Sequence, residues 1–205
     1  MRLGIFGGVF NPPHIGHLIC AQAAAVELEL QSVLLVPVAR APHREIEHDP
    51  GADVRLELCE RAVAGDERLE VSRLEVDRAG PSFTVDTLRA LSDERPGDEL
   101  HLILGGDAAA GLGSWKEPEE LLKLARIAIA ERTGWRREPV VVKLAGLRGA
   151  ERALFFEMPR IDVSSTMVRR RVAAREPIRY LVPEGIAELI EERSLYRAPA
   201  GVQAE

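Results

Sequence analysis

The sequence predicts an α/β fold in which helices cover both faces of a doubly wound parallel sheet. Several short runs rich in valine, isoleucine and leucine are apolar at consecutive positions, which is typical of strands buried on both faces. Segments with helical periodicity lie between these runs, and a chain that alternates strand with helix generally forms a parallel sheet. Such sheets bind ligands beyond the carboxyl ends of their strands, so we expect the functional residues in the loops that follow strands.

Five apolar runs are predicted to be strands, namely residues 3–6, 33–38, 100–104, 127–130 and 154–156. Between them, apolar residues recur at the spacing of a helix that packs on a sheet. These stripes consist of Leu18, Ala21, Ala25 and Leu28, of Val54, Leu58 and Ala62, and of Val85, Leu88 and Leu91. Pro118, followed by two glutamates, indicates a further helix start, and a last helix is predicted from about Glu184 to Arg193.

The composition is that of one globular domain. The 205 residues are 46% hydrophobic and 29% charged, which suffices for a substantial core. We assign residues 1–196 to this domain and residues 197–205 to a tail, while residues 134–151 receive no assigned structure. The net charge of -6 argues against general binding of nucleic acid, which needs a basic face.

The cysteine content and the apolar runs indicate where the protein works. Cys20 and Cys59 are the only cysteines, too few for a disulfide framework. The apolar run at residues 3–6 is stopped by two glycines, so it is too short for a signal peptide or a membrane span. We therefore expect a cytoplasmic protein.

The most informative segment is the loop that follows the first predicted strand. It reads Gly-Gly-Val-Phe-Asn-Pro-Pro-His-Ile-Gly-His over residues 7–17 and leads into a helix. Gly7 and Gly8 let backbone N–H groups approach a ligand closely, and the helix start carries a partial positive charge. His14 and His17 are three residues apart and can face the same crevice. These features predict a site for phosphate groups.

A second segment, Val-Ser-Ser-Thr-Met-Val-Arg over residues 163–169, suits a similar purpose. Ser164, Ser165 and Thr166 are residue types that begin helices, and Arg169 lies one turn inside. Exposed N–H groups, three hydroxyls and a guanidinium together fit the outer phosphates of a nucleotide. Alone, this is equally the pattern of an ordinary capped helix, so its interpretation depends on the first loop.

Both segments resemble motifs of the nucleotidyltransferase superfamily. The first resembles the G-G-x-F-[DN]-P-x-H-x-G-H pattern, with its H-x-G-H signature, of the nicotinate mononucleotide adenylyltransferases; the second resembles their I-S-S-T-x-x-R motif. Val9 stands where that family often has Thr or Ser, and Asn11 where many members have Asp. Shorter resemblances follow in the family's order at Pro42-His43-Arg44, at Pro81-Ser82-Phe83-Thr84, at Gly105-Gly106-Asp107 with Trp115, and at Leu195-Tyr196.

The resemblance implies a Rossmann-like nucleotidyltransferase fold, with the second motif on a small helical subdomain from about residue 160. It implies transfer of AMP from ATP to nicotinate mononucleotide in NAD biosynthesis, with catalytic roles for His14, His17 and Arg169. The residues implied to bind ATP are Gly7, Gly8, Phe10, Gly16, His43, Arg44, Gly105, Asp107, Ser164, Ser165 and Thr166. The mononucleotide is implied to contact Phe83, Thr84, Trp115, Lys116 and Arg44, with its pyridine ring on the Trp and its carboxylate at the backbone N–H groups of residues 84 and 116.

This chemistry sets the expected cofactor and partners. A phosphate monoester loses its second proton at about pH 6, so the mononucleotide's phosphate can attack without a general base. Mg²⁺ is expected to be held mainly by the ATP phosphates and water rather than by a cage of carboxylates. The expected partners are ATP and nicotinate mononucleotide, without nucleic acid or membrane, and a homo-oligomer is compatible with the sequence.

Three alternatives stay open on the sequence alone. One is a related adenylyl- or cytidylyltransferase, such as a pantetheine-phosphate adenylyltransferase. Another is a noncatalytic nucleotide sensor, and a third is a metal-binding structural protein using His14, His17 and Cys20. The enzymatic interpretation requires the two histidines to lie near the turn at residue 165, and a structure that separated them would contradict it.

Overall fold

A computed structural model describes residues 1–42, 45–132 and 137–197, and in them six parallel strands form one sheet. The strands are β1 (Arg2–Gly8), β2 (Ser32–Pro37), β3 (Leu69–Val71), β4 (Glu99–Gly105), β5 (Ala125–Arg132) and β6 (Leu154–Met158). They lie side by side in the order β3-β2-β1-β4-β5-β6, and each pairing is parallel. The predicted doubly wound α/β fold is therefore confirmed.

Eight α-helices are formed within the described residues. They are α1 (Ile15–Glu27), α2 (Ala52–Val63), α3 (Thr84–Glu94), α4 (Gly106–Ala110), α5 (Pro118–Leu124), α6 (Glu138–Leu144), α7 (Ser165–Ala173) and α8 (Glu184–Glu192). Short 3-10 turns occur at Leu112–Ser114 and Ala150–Arg152. The segment at 134–151, which received no assignment from the sequence, thus contains α6, and Val140 and Leu144 bury its apolar face in the core.

The five predicted strands agree with observed strands to within two residues at each end. Strand β3 was missed because it has only three residues, and its central Glu70 is exposed at the edge of the sheet. A run this short, interrupted by a charge, carries no apolar signal.

The sheet separates two apolar clusters, which explains why its strands are apolar at consecutive positions. Leu34 and Val36 of β2 pack in one cluster with residues of α3 and α5. Val33 and Leu35 occupy the alternate positions of the same strand and pack in the other cluster with residues of α1. All six residues of β2 are buried, as a strand covered on both faces requires.

A third apolar cluster joins the C-terminal helices to the rest of the molecule. Val168 of α7 and Ile186 of α8 are fully buried against Leu58 of α2. The backbone N–H of Ile15 donates to the carbonyl of Leu181 at 3.0 Å, so this cluster is also fixed to the start of α1. That these helices form a subdomain of their own stays a prediction.

Both cysteines lie in the interior of the protein. Cys20 and Cys59 are both buried, and neither forms a disulfide. Burial raises the pKa of the Cys59 thiol. Among the helices that the structure describes, none is long and apolar enough to cross a bilayer.

His101, inside β4, makes the stability depend on pH. Its side chain is 2% exposed, and Nδ1 lies 3.1 Å from the backbone oxygen of Glu99. Burial lowers the pKa of His101, an effect that the nearby Glu99 carboxylate opposes and Arg126 and Arg2 reinforce. The unfolded chain therefore takes up this proton more readily. The histidine's contribution to stability is complete above its unfolded pKa of about 6.5 and is lost as the pH falls below that value towards the folded pKa.

We expect the free energy of unfolding to fall between about pH 7.5 and about pH 5.5, with a shallower slope in His101→Gln. Urea unfolding followed by circular dichroism at several pH values measures this slope. His48→Asn, which removes an exposed histidine instead of a buried one, provides the control. A His101→Gln protein with the wild-type slope would contradict the prediction.

Candidate active site

The candidate site lies where the direction of chain winding reverses. From β1 the chain adds β2 and β3 towards one edge of the sheet, and from β4 it adds β5 and β6 towards the opposite edge. The carboxyl ends of the neighbouring strands β1 and β4 therefore carry loops that diverge, which opens a crevice above the sheet. The glycine- and histidine-containing loop leaves β1 here, and Gly105–Asp107 leaves β4.

Close packing of Phe10 shapes the first loop. Phe10 is 2% exposed and has a φ of 49°, in the left-handed region that disfavours side chains. A Cβ on Gly8 would lie 2.9 Å from the Phe10 ring, so the glycine at this position is needed for the ring to fit. The edge of the ring in turn contacts His17, with 5.1 Å between ring centroids. Phe10 thus supports a histidine from within the core.

The two histidines lie against each other at the start of α1. Their ring centroids are 3.8 Å apart, and the backbone N–H of His14 donates to Nδ1 of His17 at 3.2 Å. Because that Nδ1 accepts, the neutral His17 ring carries its proton on Nε2, where it can act as a donor. A Cβ on Gly16 would lie 3.1 Å from the His14 ring, so this glycine leaves room for the histidine pair.

The second predicted segment begins α7 and is bound directly to the first loop. Ser164 is the N-cap of α7, and its hydroxyl accepts from the backbone N–H of Met167 at 3.1 Å. Ser165 Oγ donates to the carbonyl of Pro12 at 2.8 Å. Arg169 Nη1 donates to the carbonyl of Asn11 at 2.9 Å. The structure therefore brings together the two segments that had to share a site.

Arg169 has further contacts that fix its guanidinium. Nη2 lies 3.4 Å from Thr166 Oγ1 and 3.5 Å from a carboxylate oxygen of Glu47. Its side chain is 11% exposed, so it is held at the edge of the crevice. The next residues differ, because Arg170 is exposed and Arg171 pairs with Glu176 at 3.1 Å.

Asn11 connects three parts of the chain, a role that its local sequence does not predict. The side-chain oxygen of Asn11 accepts from the Tyr196 hydroxyl at 2.7 Å, and Nδ2 donates to the carbonyl of Glu47 at 2.8 Å. Asn11 is 3% exposed, and burial raises the pKa of the Tyr196 hydroxyl. An ionised aspartate at this position could not donate to the Glu47 carbonyl, so this contact depends on the amide of Asn11.

Arg55 is a second residue that sequence reasoning missed. It lies on α2 with no exposed surface, and its guanidinium donates to the carbonyls of Val9 and Ala39, each at 3.1 Å, and to that of Val38. Nε donates to Asp49 at 2.8 Å. Val9 has no side-chain hydroxyl to hold this turn, and Arg55 holds it through the backbone carbonyl of Val9 instead. An arginine beside a helical apolar stripe is ordinarily solvated, so no sequence signal distinguished it.

A cavity of about 380 Å³ occupies the side of the crevice next to α3. It contains six of the predicted residues: Gly7, Gly8, Phe83, Thr84, Trp115 and Lys116. Ser82 holds its rim together, because its hydroxyl accepts from the backbone N–H of Ala39 at 3.1 Å. The histidines and the start of α7 lie outside this lining. Most of the predicted residues therefore fall into two groups, one at the cavity and one at the two segments 7–17 and 163–169.

The Lys116 side chain is bound to a neighbouring acid. Its Nζ donates to Asp86 at 2.9 Å and lies 4.7 Å from the centre of the Phe83 ring. Burial acts to raise the pKa of Asp86, but the hydrogen bond and positive charge of Lys116 outweigh it and lower that pKa. The ammonium of Lys116 is therefore already paired with a carboxylate.

Two of the remaining predicted residues, Gly105 and Asp107, lie at the start of α4. Gly105 is the N-cap of α4, and Asp107 is exposed in the first turn of that helix. His43 and Arg44 lie outside the described residues.

Three comparisons with known proteins agree with this arrangement. Residues 5–171 match the model of a family described as cytidylyltransferase-like. A probable nicotinate-nucleotide adenylyltransferase of Rubrobacter xylanophilus is 41% identical over 202 residues, which cover 98% of this chain and 94% of the relative. One of Thermus thermophilus is 42% identical over 197 residues, which cover 96% of this chain and 100% of the relative.

Solved structures share the architecture. The nicotinic acid mononucleotide adenylyltransferase of Plasmodium falciparum, complexed with NaAD, matches with a TM-score of 0.77. The match covers 95% of this chain and 97% of that chain at 17% sequence identity. At this identity the likeness shows the shared fold.

Proposed function

Because the chain belongs to the nicotinate-nucleotide adenylyltransferases within the cytidylyltransferase-like family, we propose that it transfers AMP from ATP to nicotinate mononucleotide. The products are nicotinate adenine dinucleotide, which serves NAD biosynthesis, and pyrophosphate. We call the two segments that are predicted to bind phosphate, residues 7–17 and 163–169, the phosphate segments. The observation that supports the proposal most directly is the contact between them, in which Ser165 binds Pro12 and Arg169 binds Asn11. We further propose a cytoplasmic enzyme whose partners are these two small molecules.

In this proposal the protein positions anions and stabilises charge. The acceptor phosphate attacks the α-phosphorus of ATP, the bond to the pyrophosphate oxygen breaks, and pyrophosphate leaves with the bonding electrons. The attacking oxygen is already deprotonated, so catalysis consists of alignment and electrostatic stabilisation. His14 and His17 lie at the start of α1, where ring N–H groups and the helix N-terminus favour negative charge.

Arg169 and α7 are proposed to hold the outer phosphates. The N-terminal N–H groups of α7 lie next to the first loop through the bond between Ser165 and Pro12. The guanidinium of Arg169 is fixed by the carbonyl of Asn11, so it needs little reorganisation when pyrophosphate departs.

Magnesium is proposed to enter with the nucleotide. Across the described part of the chain, no three His, Cys, Asp or Glu side chains are placed to hold a metal ion together. Mg²⁺ usually keeps several waters and is bound largely through the phosphates of the nucleotide, so it needs few ligands from the protein. When bound, Mg²⁺ supplies charge neutralisation on the phosphates.

The cavity is proposed to bind the nicotinate ring, with Trp115 beneath it and the N–H groups of Thr84 and Lys116 at its carboxylate. We expect kcat/KM for the acid mononucleotide to exceed that for the amide by about tenfold or more, because the amide NH₂ would confront donors with a donor. Coupled assays of pyrophosphate release with each acceptor measure this ratio. Equal efficiency for both would defeat the assignment.

One backbone donor can be tested by itself. Thr84 is the first residue of α3, where proline is tolerated, and Phe83 before it is extended at φ -98° and ψ 129°, as a residue preceding proline must be. Thr84→Pro therefore removes one N–H with little strain and should move the ratio of acid to amide efficiency towards one. Thr84→Ala keeps the N–H and serves as the control. A ratio unchanged by proline would exclude this N–H as a determinant.

Two other functions are distinguished by the same assay. A pantetheine-phosphate adenylyltransferase would release pyrophosphate with phosphopantetheine instead, and a nucleotide sensor would release none with any acceptor. We favour the nicotinate acceptor over both because the aromatic and N–H groups of the cavity adjoin the phosphate segments through Gly7 and Gly8.

A further inference from the structure

A buried carboxylate lies in the wall of the cavity beside α3. Glu75, in the loop between β3 and α3, contributes to the cavity lining, yet the residue is only 5% exposed. Acidic side chains are rarely buried to this extent unless both oxygens are paired. The surroundings of Glu75 therefore bear on what the cavity binds.

One oxygen of Glu75 is paired through a short relay. Thr87 Oγ1 donates to Glu75 Oε1 at 2.6 Å, and Arg78 Nη2 donates to the same hydroxyl at 3.0 Å. A hydroxyl has one proton to donate, so the Thr87 hydroxyl donates it to Glu75 and accepts a hydrogen bond from Arg78. The Arg78 nitrogen also lies 4.0 Å from Oε1, so the positive charge is on that side of the carboxylate.

The other oxygen, Oε2, is shielded from solvent and has no hydrogen-bond partner among the residues that the structure describes. A buried, unpaired oxygen that carries negative charge is unfavourable unless a compensating group comes close. The ammonium of Lys116, which also belongs to the cavity lining, does not supply this charge, because it is bound to Asp86. Most other residues of the lining are apolar or glycine, so an effect of the Glu75 charge in the cavity is weakly screened.

We propose that Glu75 stabilises the positively charged pyridinium ring of the acceptor mononucleotide, which it binds electrostatically from the cavity wall. The proposal rests on the function proposed above and adds a binding determinant to it. The ring nitrogen of a pyridine mononucleotide is quaternary, so it carries charge but has no N–H to donate. A carboxylate oxygen without a hydrogen-bond donor, in an apolar cavity, matches a cation of this kind, and the Trp115 ring adds a cation–π contact.

This role is separate from the choice between acid and amide. The acid and the amide mononucleotide both carry the cationic ring. The group that differs between them, carboxylate or amide, is proposed to lie at the N–H groups of Thr84 and Lys116. Glu75 instead favours pyridinium acceptors over acceptors without a cationic group, such as phosphopantetheine.

The test compares a charged ring with a neutral one of nearly the same shape. Isothermal titration calorimetry measures the Kd of nicotinate mononucleotide and of its 1,4-dihydropyridine form, which keeps the ribose, phosphate and carboxylate. We expect wild type to prefer the charged ring by about tenfold, and Glu75→Gln to lose that preference by weakening only the oxidised ligand. Gln keeps an oxygen that can accept from Thr87, so the relay survives. Glu70→Gln, on the exposed edge strand, is the matched control.

Each outcome decides the proposal. An equal loss of both ligands in Glu75→Gln would assign Glu75 to packing or to a ribose contact and overturn it, as would no loss at all. If Glu75→Gln does not fold, the wild-type comparison stands alone, and equal affinity for the two rings overturns the proposal. Wild type that binds neither ligand and releases no pyrophosphate contradicts the proposed function itself, which separates that failure from failure of the Glu75 role.

Discussion

Replacement of His17 by alanine is expected to lower kcat for adenylyl transfer by about 10³-fold while changing the Kd for ATP by no more than about fivefold. The reason is geometric. Nδ1 of His17 accepts from the backbone of His14, and Phe10 supports the ring, so the Nε2 proton is held in a fixed position. A prepositioned donor contributes most when charge develops on the reacting phosphate.

Pyrophosphate release at saturating substrates gives kcat, and calorimetry gives the affinity for ATP. His48→Asn, at an exposed histidine with a φ of 50° that asparagine accommodates, controls for loss of an imidazole near the site. Abolished ATP binding with an unchanged rate at saturation would make His17 a binding residue only.

Arg55→Met is expected to lower the free energy of unfolding by about 3–5 kcal/mol. Methionine fills much of the same volume but gives no hydrogen bonds. It leaves the carbonyls of Val9, Val38 and Ala39 without their donors, and Asp49 without its partner. Because these groups belong to the turns after β1 and β2, the loss also loosens the site.

Chemical denaturation measures this free energy, and a second arginine on α2 provides the control. Arg61 is 39% exposed and pairs with the carboxylates of Glu57, Glu188 and Glu192 at 3.7–4.0 Å. Arg61→Met should therefore cost about 1 kcal/mol or less. If the two variants were equally stable, the buried network of Arg55 would not hold these turns.

Much of the fold could be predicted because its determinants are local. An apolar run such as 33–38 shows its burial in its own residues, and the alternation with helices then implies a parallel sheet. Strand β3 could not be predicted, since its pairing with β2 depends on the neighbouring strand rather than on its own three residues.

In the site, too, the residues that could be predicted are those with a local sequence pattern. His14, His17 and Ser164–Thr166 stand out because glycines and helix-capping residues surround them in sequence. Arg55 and the pairing of Tyr196 with Asn11 do not, because their partners are distant in sequence and their residue types are common on surfaces. Leu195-Tyr196 was noticed only as a resemblance, without a contact to explain it.

The bond from Tyr196 to Asn11 spans 185 positions, and those from Ser165 and Arg169 span 153 and 158. A chain emerging from the ribosome makes its first strand and loop well before it makes these partners. This loop therefore acquires its full set of contacts only after these later partners have been synthesised. A nascent chain that has not reached residue 196 lacks the hydrogen bond from Tyr196 to Asn11 in the loop at residues 7–17. We therefore expect the sheet to assemble before the site becomes competent for catalysis.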